Sequence, residues 1–270
     1  MRTLYLSDLD GTLLNSNQRL SEFTKATINN FVKSDGIFSY ATARSLVSAS
    51  IVTAGLSHDF PVVCYNGAFV FASQSRGILL SHHFARGDMM SIRQTFVQYG
   101  ILPVVYAFID GVEQFSFIDE NISEGMRLFL DSRQGDPRRR QVRTVDQLYE
   151  GDIFYFACIS DAATLAPANE AFKLARFNCL YQKDVYSNAI WLELLPKSAT
   201  KATAAQELKK MLNCDKLVAF GDGLNDLPLF LAADECYAMT NATQELKDIA
   251  TAVIDTNDND GVARWILKNC

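Results

Sequence analysis

The sequence predicts an α/β protein whose parallel-sheet core is interrupted by an α+β insert. Short apolar runs alternate with amphipathic helical stretches in both terminal parts of the chain, which is the pattern of right-handed βαβ units. The middle of the chain breaks this alternation, because a hairpin pattern and several successive strands replace it. We therefore expect a discontinuous core domain from residues 1–82 and 195–270, and an inserted domain from residues 83–194.

The elements of the predicted core follow from apolar runs and helix-end signals. Residues 3–7 form an apolar strand, and Ser21 is a suitable N-cap for a helix that continues to about Ser34, before Gly36. A strand, a helix and a strand follow at 37–41, 46–54 and 61–65. Past Pro196 the alternation resumes with a helix at 198–212, a strand at 216–220, a helix at 225–233, a strand at 236–239 and a helix at 243–251.

The insert is predicted from a hairpin signal and from its antiparallel order. Asp110-Gly111 is a favoured type I′ turn between the apolar runs 104–109 and 112–118. The arginine-rich segment 133–143 is interpreted as a connection, and its three consecutive arginines at 138–140 as solvated side chains rather than a phosphate site. The remaining predicted elements are helices at 122–130 and 163–175 and strands at 153–159, 177–182 and 189–195.

Composition narrows the class of protein. A chain of 270 residues with 49% hydrophobic and 21% charged residues is typical of a globular protein. Its net charge of -6 argues against nucleic acid or an anionic membrane as the main partner. No apolar run approaches the ~20 residues of a membrane span, and no signal-peptide pattern precedes the first strand. The six cysteines lack a CxxC pair, so we expect reduced, buried thiols in a cytoplasmic protein.

Acidic residues follow two of the predicted strands. Asp8 and Asp10 come directly after the first strand, and strand alternation would point both side chains the same way. Asp222 and Asp226 lie in a Gly-Asp-Gly-Leu-Asn-Asp motif after the 216–220 strand. Because ligands of open α/β sheets bind at the carboxyl ends of the strands, we expect one group of four carboxylates there. Such a group repels itself without a hard cation, and Mg²⁺ best fits its oxygen donors.

Positively charged and hydrogen-bonding groups occupy other connections of the same sheet. Thr42 and Arg44 follow the second strand, where a hydroxyl and a guanidinium could hold phosphoryl oxygens. Lys201 lies in the first turn of a helix, where cations are not preferred, which indicates that it serves an anion. Taken alone, the Asp8–Asp10 pair is as typical of a turn or cap as of a site, and Thr42, Arg44 and Lys201 are more typical of a cap or of solvated side chains. Their common placement at strand-to-helix connections, or at a helix start, favours a site.

Taken together, these motifs resemble the haloacid dehalogenase superfamily, specifically its Cof-type, subclass IIB magnesium-dependent phosphatases. The resemblance covers nearly the whole chain, including the Asn-Gly-Ala at 66–68 and the segments 238–242 and 257–263. It implies a Rossmann-like core with an inserted α+β cap domain. The chain departs from the family pattern where Ala43, Ser198, Ala202 and Thr240 replace usual glycines, which leaves the backbone less open near a ligand.

The family pattern implies a role for each candidate residue. Asp8 would be the nucleophile that forms an aspartyl-phosphate, and Asp10 the general acid and base. Mg²⁺ would be held by the Asp8 carboxylate, the Asp10 backbone carbonyl and Asp222, while Asp226 would orient a metal-bound water. Lys197 is a lesser candidate than Lys201 for the lysine role. The implied phosphate and substrate contacts are Thr42, Arg44, Asn66, Lys201 and Asn225.

The implied function is Mg²⁺-dependent hydrolysis of a small phosphorylated metabolite, such as a sugar phosphate, under a cap that excludes water. A phosphomutase would share every catalytic residue but return the phosphoryl group to a sugar. A catalytically silent phosphate-binding regulatory module stays open because of the replaced glycines. A dehalogenase is disfavoured, since it does not need Asp10 as acid and base. We expect a monomer or weak homodimer, and a structural role for His82 and His83.

Overall fold

The computed structural model describes residues 1–57, 59–72, 75, 77–183 and 189–270. The chain forms two compact units: Met1–Ser81 with Ala199–Cys270, and His82–Ser198. Their boundaries lie one and four residues from the predicted domain boundaries. No helix in the described part of the chain is long and apolar enough to span a membrane.

The helices and strands follow one another in three parts of the chain. The first part forms β1 (Thr3–Ser7), α1 (Glu22–Lys33), β2 (Ile37–Tyr40), α2 (Leu46–Val52), β3 (Val62–Cys64), β4 (Phe69–Phe71) and β5 (Ile78–Ser81). The insert forms α3 (Arg86–Gln98), β6 (Val104–Ile109), β7 (Val112–Phe117), α4 (Glu124–Asp131), β8 (Arg139–Gln141), α5 (Val145–Leu148), β9 (Asp152–Ser160), α6 (Ala162–Leu174), β10 (Asn178–Lys183) and β11 (Ile190–Leu195). The last part forms α7 (Lys201–Met211), β12 (Lys216–Gly221), α8 (Leu227–Ala232), β13 (Glu235–Met239), α9 (Gln244–Ile249), β14 (Ala252–Ile254) and α10 (Gly261–Asn269).

A five-stranded parallel sheet forms the centre of the first unit, in the order β14-β13-β12-β1-β2. The predicted parallel core is therefore confirmed, with β1 between β12 and β2. β3 differs from the prediction, because it pairs with β4 in a separate antiparallel sheet of β3, β4 and β5. An isolated bridge between Ala41 and Val63 joins β3 to the end of β2, so the connections after both strands begin side by side.

The second unit has the predicted α+β character. Its six-stranded sheet has the order β10-β11-β9-β6-β7-β8 and is mainly antiparallel. The β6–β7 hairpin turns through Asp110 (φ 50°) and Gly111 (φ 78°), both at the positive φ that a type I′ turn needs. Phe96 of α3 and Phe172 of α6 lie 4.9 Å apart between ring centroids, and both belong to the core that covers one face of this sheet.

The arginine-rich segment is not a solvated connection, which corrects the prediction. It contains β8, which pairs in parallel with β7. The side chain of Arg138 is 13% exposed and forms ion pairs with Glu113 (2.6 Å) and Asp136 (2.7 Å). Arg140 pairs with Glu150, and the guanidinium of Arg139 lies 4.6 Å from the ring centroid of Phe117. Glu113 and Phe117, which contact Arg138 and Arg139, lie more than 20 residues away along the chain, so local sequence did not reveal these contacts.

The cysteines are unpaired thiols, and His83 packs against an aromatic ring. All six cysteines are free thiols; Cys64, Cys158 and Cys236 are buried as expected, whereas Cys270 is exposed. The His83 ring packs edge-to-face against Phe154, at 6.3 Å between centroids.

Candidate active site

Asp8 lies where β1 ends and the chain turns away from the sheet. Its backbone N–H donates to Phe220 O of β12 (2.9 Å), and its carboxylate accepts the Leu9 N–H (2.7 Å). Residues Leu9–Leu13 then form a helical turn in which Gly11 has a φ of 73°. Strand alternation therefore does not extend to Asp10. Asp8 is 5% exposed, whereas Asp10 is exposed, and the two carboxylates have different partners.

Lys201 lies between two buried carboxylates. As the first residue of α7 after its N-cap Thr200, it places Nζ 2.9 Å from Asp8 Oδ1 and 2.7 Å from Asp226 Oδ1. Burial alone would lower the pKa of Lys201, but the Asp226 and Asp8 carboxylates outweigh burial and raise it. Burial raises the pKa of Asp8 well above its usual range, and the Asp226 charge adds to this while Lys201 opposes it. Lys201 is thus a charged ammonium directly beside Asp8.

Asp222 and Asp226 are held by the turn after β12. Asp226 Oδ2 accepts the backbone N–H groups of Asp222 (3.0 Å) and Gly223 (3.1 Å), so both oxygens of this fully buried carboxylate have partners. Asp222 Oδ1 accepts the Thr12 hydroxyl at 2.6 Å. Burial raises the pKa of Asp222 to about 6, although the Thr12 hydrogen bond opposes the shift.

Three carboxylates form a candidate metal centre. Asp8, Asp222 and Asp226 each offer an oxygen, and these oxygens lie within 4.8 Å of one another. The expected group of four is corrected to three, because the Asp10 carboxylate turns to Arg44 instead. Carboxylate oxygens are the donors that hard divalent cations prefer, so the residues present fit such an ion. Since both Asp226 oxygens already accept hydrogen bonds, Asp8 and Asp222 are the better placed ligands.

Arg44 forms a two-point ion pair with Asp10. Its Nε lies 2.7 Å from Asp10 Oδ2, and one terminal nitrogen lies 2.5 Å from Asp10 Oδ1 and 2.8 Å from Gln18 Oε1. The expected phosphate contact of Arg44 would require this ion pair to open. Sequence reasoning missed the pair because the two residues are 34 positions apart and follow different strands.

Thr42, Asn66 and Asn225 lie in adjoining connections. Thr42 is fully buried and donates its backbone N–H to Val63 O (3.0 Å), while Asn66 donates its backbone N–H to Thr42 O (2.9 Å). Asn225 Nδ2 donates to Asn66 Oδ1 at 3.2 Å, which joins the β12 connection to the β3 connection. Lys197, by contrast, is exposed and belongs to the second unit. Lys201 is therefore the lysine that contacts the carboxylates.

A family model described as haloacid dehalogenase-like hydrolase matches residues 5–266. The chain belongs to this family. The resemblance seen in the sequence motifs is thus confirmed, as is assignment of the chain to the hydrolases.

Curated relatives and solved structures agree with this assignment. Two proteins of Bacillus subtilis, the 5-amino-6-(5-phospho-D-ribitylamino)uracil phosphatases YitU and YwtE, are 27% and 26% identical to this chain. The YitU match covers 97% of this chain and 95% of the relative, and the YwtE match covers 96% and 95%. The crystal structure of TM0651 from Thermotoga maritima superposes with a TM-score of 0.78 at 25% identity, covering 100% of this chain and 98% of that one. The predicted fold class is confirmed over the whole chain.

Proposed function

We propose that this protein is a Mg²⁺-dependent phosphatase that hydrolyses a small phosphomonoester through an aspartyl-phosphate on Asp8. The observation that carries the proposal is the buried Asp8 carboxylate with the Lys201 ammonium 2.9 Å away and Asp222 beside it. A carboxylate nucleophile flanked by positive charge is what phosphoryl transfer needs, because its catalysis is mainly positioning and electrostatic stabilisation. The two relatives named as phosphatases of a phosphorylated ribitylaminouracil support a small substrate, for which we propose a sugar phosphate or a similar ester.

Mg²⁺ held by Asp8 and Asp222 would neutralise charge on the phosphoryl oxygens and so favour attack by an anionic nucleophile. Lys201 would stabilise the same oxygens from its buried position. Asp226 accepts hydrogen bonds from the Lys201 ammonium and from the first two backbone N–H groups after β12. We therefore assign it a positioning role. Thr42 and Asn225 are proposed to donate hydrogen bonds to the phosphoryl group.

The proposed reaction has two steps. An Asp8 oxygen attacks phosphorus, the bond between phosphorus and the ester oxygen breaks, and Asp10 donates a proton to the departing oxygen. Asp10 then takes a proton from a water that attacks phosphorus, which breaks the bond to Asp8 and releases inorganic phosphate. The Arg44 pair fixes both Asp10 oxygens, so this contact has to loosen before Asp10 can carry the first proton.

Phosphate release from a panel of phosphomonoesters, with Mg²⁺ or with chelator, tests the proposal. We expect turnover that the chelator removes, and a loss of about 10³-fold or more in Asp8→Asn, since the nucleophile is gone. Asp248→Asn changes an exposed carboxylate of α9 and serves as the matched control, with activity unchanged. Turnover near the wild-type rate in Asp8→Asn would disprove the nucleophile, and an inactive wild type across the panel contradicts the phosphatase proposal.

A further inference from the structure

We infer that Asn241 is a positioning residue for Asp222, acting through the peptide group between Gly11 and Thr12. The inference rests on the proposed function in one respect, because it takes Asp222 to be a metal ligand. Asn241 has no part in the roles implied for the acidic motifs. It lies on the connection after β13, whereas those motifs follow β1 and β12.

The Asn241 amide bridges two connections at the edge of the parallel sheet. Its Nδ2 donates to Gly11 O at 2.8 Å, although the two residues are 230 positions apart in the chain. Its Oδ1 accepts the Asn257 backbone N–H at 3.3 Å. Because a backbone N–H can only donate, this second contact fixes which end of the amide faces Gly11.

The peptide that Asn241 holds lies directly against the Asp222 carboxylate. Thr12 donates its hydroxyl to Asp222 Oδ1 at 2.6 Å. On the other side of the peptide, a Cβ added to Gly11 would lie 2.2 Å from Asp222 Oδ2. Thr12 hydrogen-bonds one carboxylate oxygen and Gly11 lies close to the other, so a shift of the peptide group between them would disturb the Asp222 carboxylate.

The connection that carries Asn241 also holds the main chain of Asp222. Thr243 donates its backbone N–H to Asp222 O at 2.9 Å. Asn257 donates Nδ2 to Leu14 O at 2.9 Å, at the far end of the same turn. Asp10 and Gly11 have non-helical backbone angles within this turn, so its shape depends on such outside hydrogen bonds. Asn241 ties the middle of the turn to the connection after β13, which in turn holds the main chain of Asp222 through Thr243.

Metal affinity of the full-length, metal-free protein tests the inference without any substrate. We expect Asn241→Ala and the isosteric Asn241→Asp, which keeps the acceptor but loses the donor, to weaken Mg²⁺ binding about 10-fold in calorimetric titration. Asn241 is exposed, so the melting temperature of the metal-free protein should stay at the wild-type value. Asn259→Ala is the matched control, since its exposed amide bonds Asp255 Oδ1 (3.0 Å) in a neighbouring connection, and it should bind Mg²⁺ normally.

A double-mutant cycle distinguishes an effect of Asn241 that passes through the Gly11–Thr12 peptide from a general loss of order around the metal centre. Thr12→Val removes the hydroxyl that donates to Asp222, and should also weaken Mg²⁺ binding. If Asn241 acts through the Gly11–Thr12 peptide, the combined variant loses less affinity than the product of the two single losses.

Unchanged Mg²⁺ affinity in both Asn241 variants overturns the inference, as do losses that multiply fully or an equal loss in Asn259→Ala. In those cases the phosphatase proposal stands if the wild type releases phosphate. A wild type that binds Mg²⁺ but hydrolyses nothing contradicts the proposed function, while the affinity changes still decide the role of Asn241.

Discussion

Lys201 is a fully buried ammonium, and its contacts explain why a cation stands at a helix N-terminus. Its side chain is shielded from water and lies against the Asp8 and Asp226 carboxylates, at 2.9 and 2.7 Å. Removing such a charge from water costs several kcal/mol, which close carboxylates offset. The helix dipole disfavours a cation in the first turn by less than these contacts stabilise it. The position of Lys201 in the sequence therefore indicated an anionic environment, here supplied by the protein itself.

Lys201→Met tests the contribution of the buried ammonium to stability. Methionine fills a similar volume but leaves Asp8 and Asp226 facing each other without a cation, so the free energy of unfolding should fall by about 3–5 kcal/mol at pH 7. Urea denaturation of the metal-free protein measures the change. Lys210→Met, in the same helix but with a side chain 70% exposed, should change stability by less than about 0.5 kcal/mol. Equal effects in the two variants would show that the buried cluster adds nothing to stability.

The raised pKa of Asp222 predicts that the metal-free protein loses stability as pH rises. Burial brings the pKa to about 6 from the usual 3.8, so between these values the folded protein binds a proton that the unfolded chain releases. The free energy of unfolding should then decrease across this window, by about 3 kcal/mol at most. Asp222→Asn should flatten the slope in pH-dependent denaturation with chelator present, whereas Asp248→Asn should retain it. An equal slope in Asp222→Asn and in the wild type would contradict the assignment.

At the level of elements, local patterns predicted most of the strands, whereas the short strands β4, β5, β8 and β14 and several long-range contacts were missed. The apolar run at 3–7 and the Ser21 cap predicted the ends of β1 and α1 to within a residue or two, because these signals are local to each element. Helix α3 was missed, since its buried residues are only Ile92 and Phe96 and its apolar stripe is weak. The Arg44–Asp10 pair joins residues 34 positions apart and follows from the meeting of β1 and β2, which no local pattern encodes.

The close packing of the β3 connection on α7 predicts that Gly67 cannot be replaced. Gly67 has a φ of 97°, and a Cβ there would lie 2.1 Å from Thr200 O, at the start of the helix that carries Lys201. Gly67→Ala should therefore destabilise the protein by about 1–3 kcal/mol through overpacking and lower its phosphatase activity. Gly135→Ala is the matched control, because Gly135 also has a positive φ (84°) but no heavy atom within 4 Å of the added Cβ. Both substitutions introduce backbone strain, but only Gly67→Ala introduces a clash, so thermal unfolding of the two variants separates these causes. Similar losses of stability in both variants would refute the packing argument.

At the scale of the molecule, the two units differ in how the chain builds them. β1 pairs with both β2 and β12, so the first unit needs residues from before and after the insert. The second unit is a continuous segment with its own apolar core. Each unit also contains one of the two tryptophans. Trp265 packs against Tyr237 at 4.4 Å between centroids in the first unit, and Trp191 against Phe129 at 5.3 Å in the second.

The positions of the two tryptophans predict that Mg²⁺ raises the urea midpoint reported by Trp265 and leaves the midpoint reported by Trp191 unchanged. All three carboxylates of the candidate metal centre lie in the first unit, so bound Mg²⁺ raises the unfolding free energy of that unit, by about 2.7 kcal/mol at 100 times the dissociation constant. In Trp191→Phe, the urea midpoint of Trp265 fluorescence should rise with Mg²⁺ and return with chelator. In Trp265→Phe, the midpoint of Trp191 fluorescence should not move, because its unit holds none of these carboxylates. Each variant is compared with and without Mg²⁺, so any loss of stability caused by the substitution itself cancels. An equal shift of both signals would show instead that the whole chain unfolds as one cooperative unit.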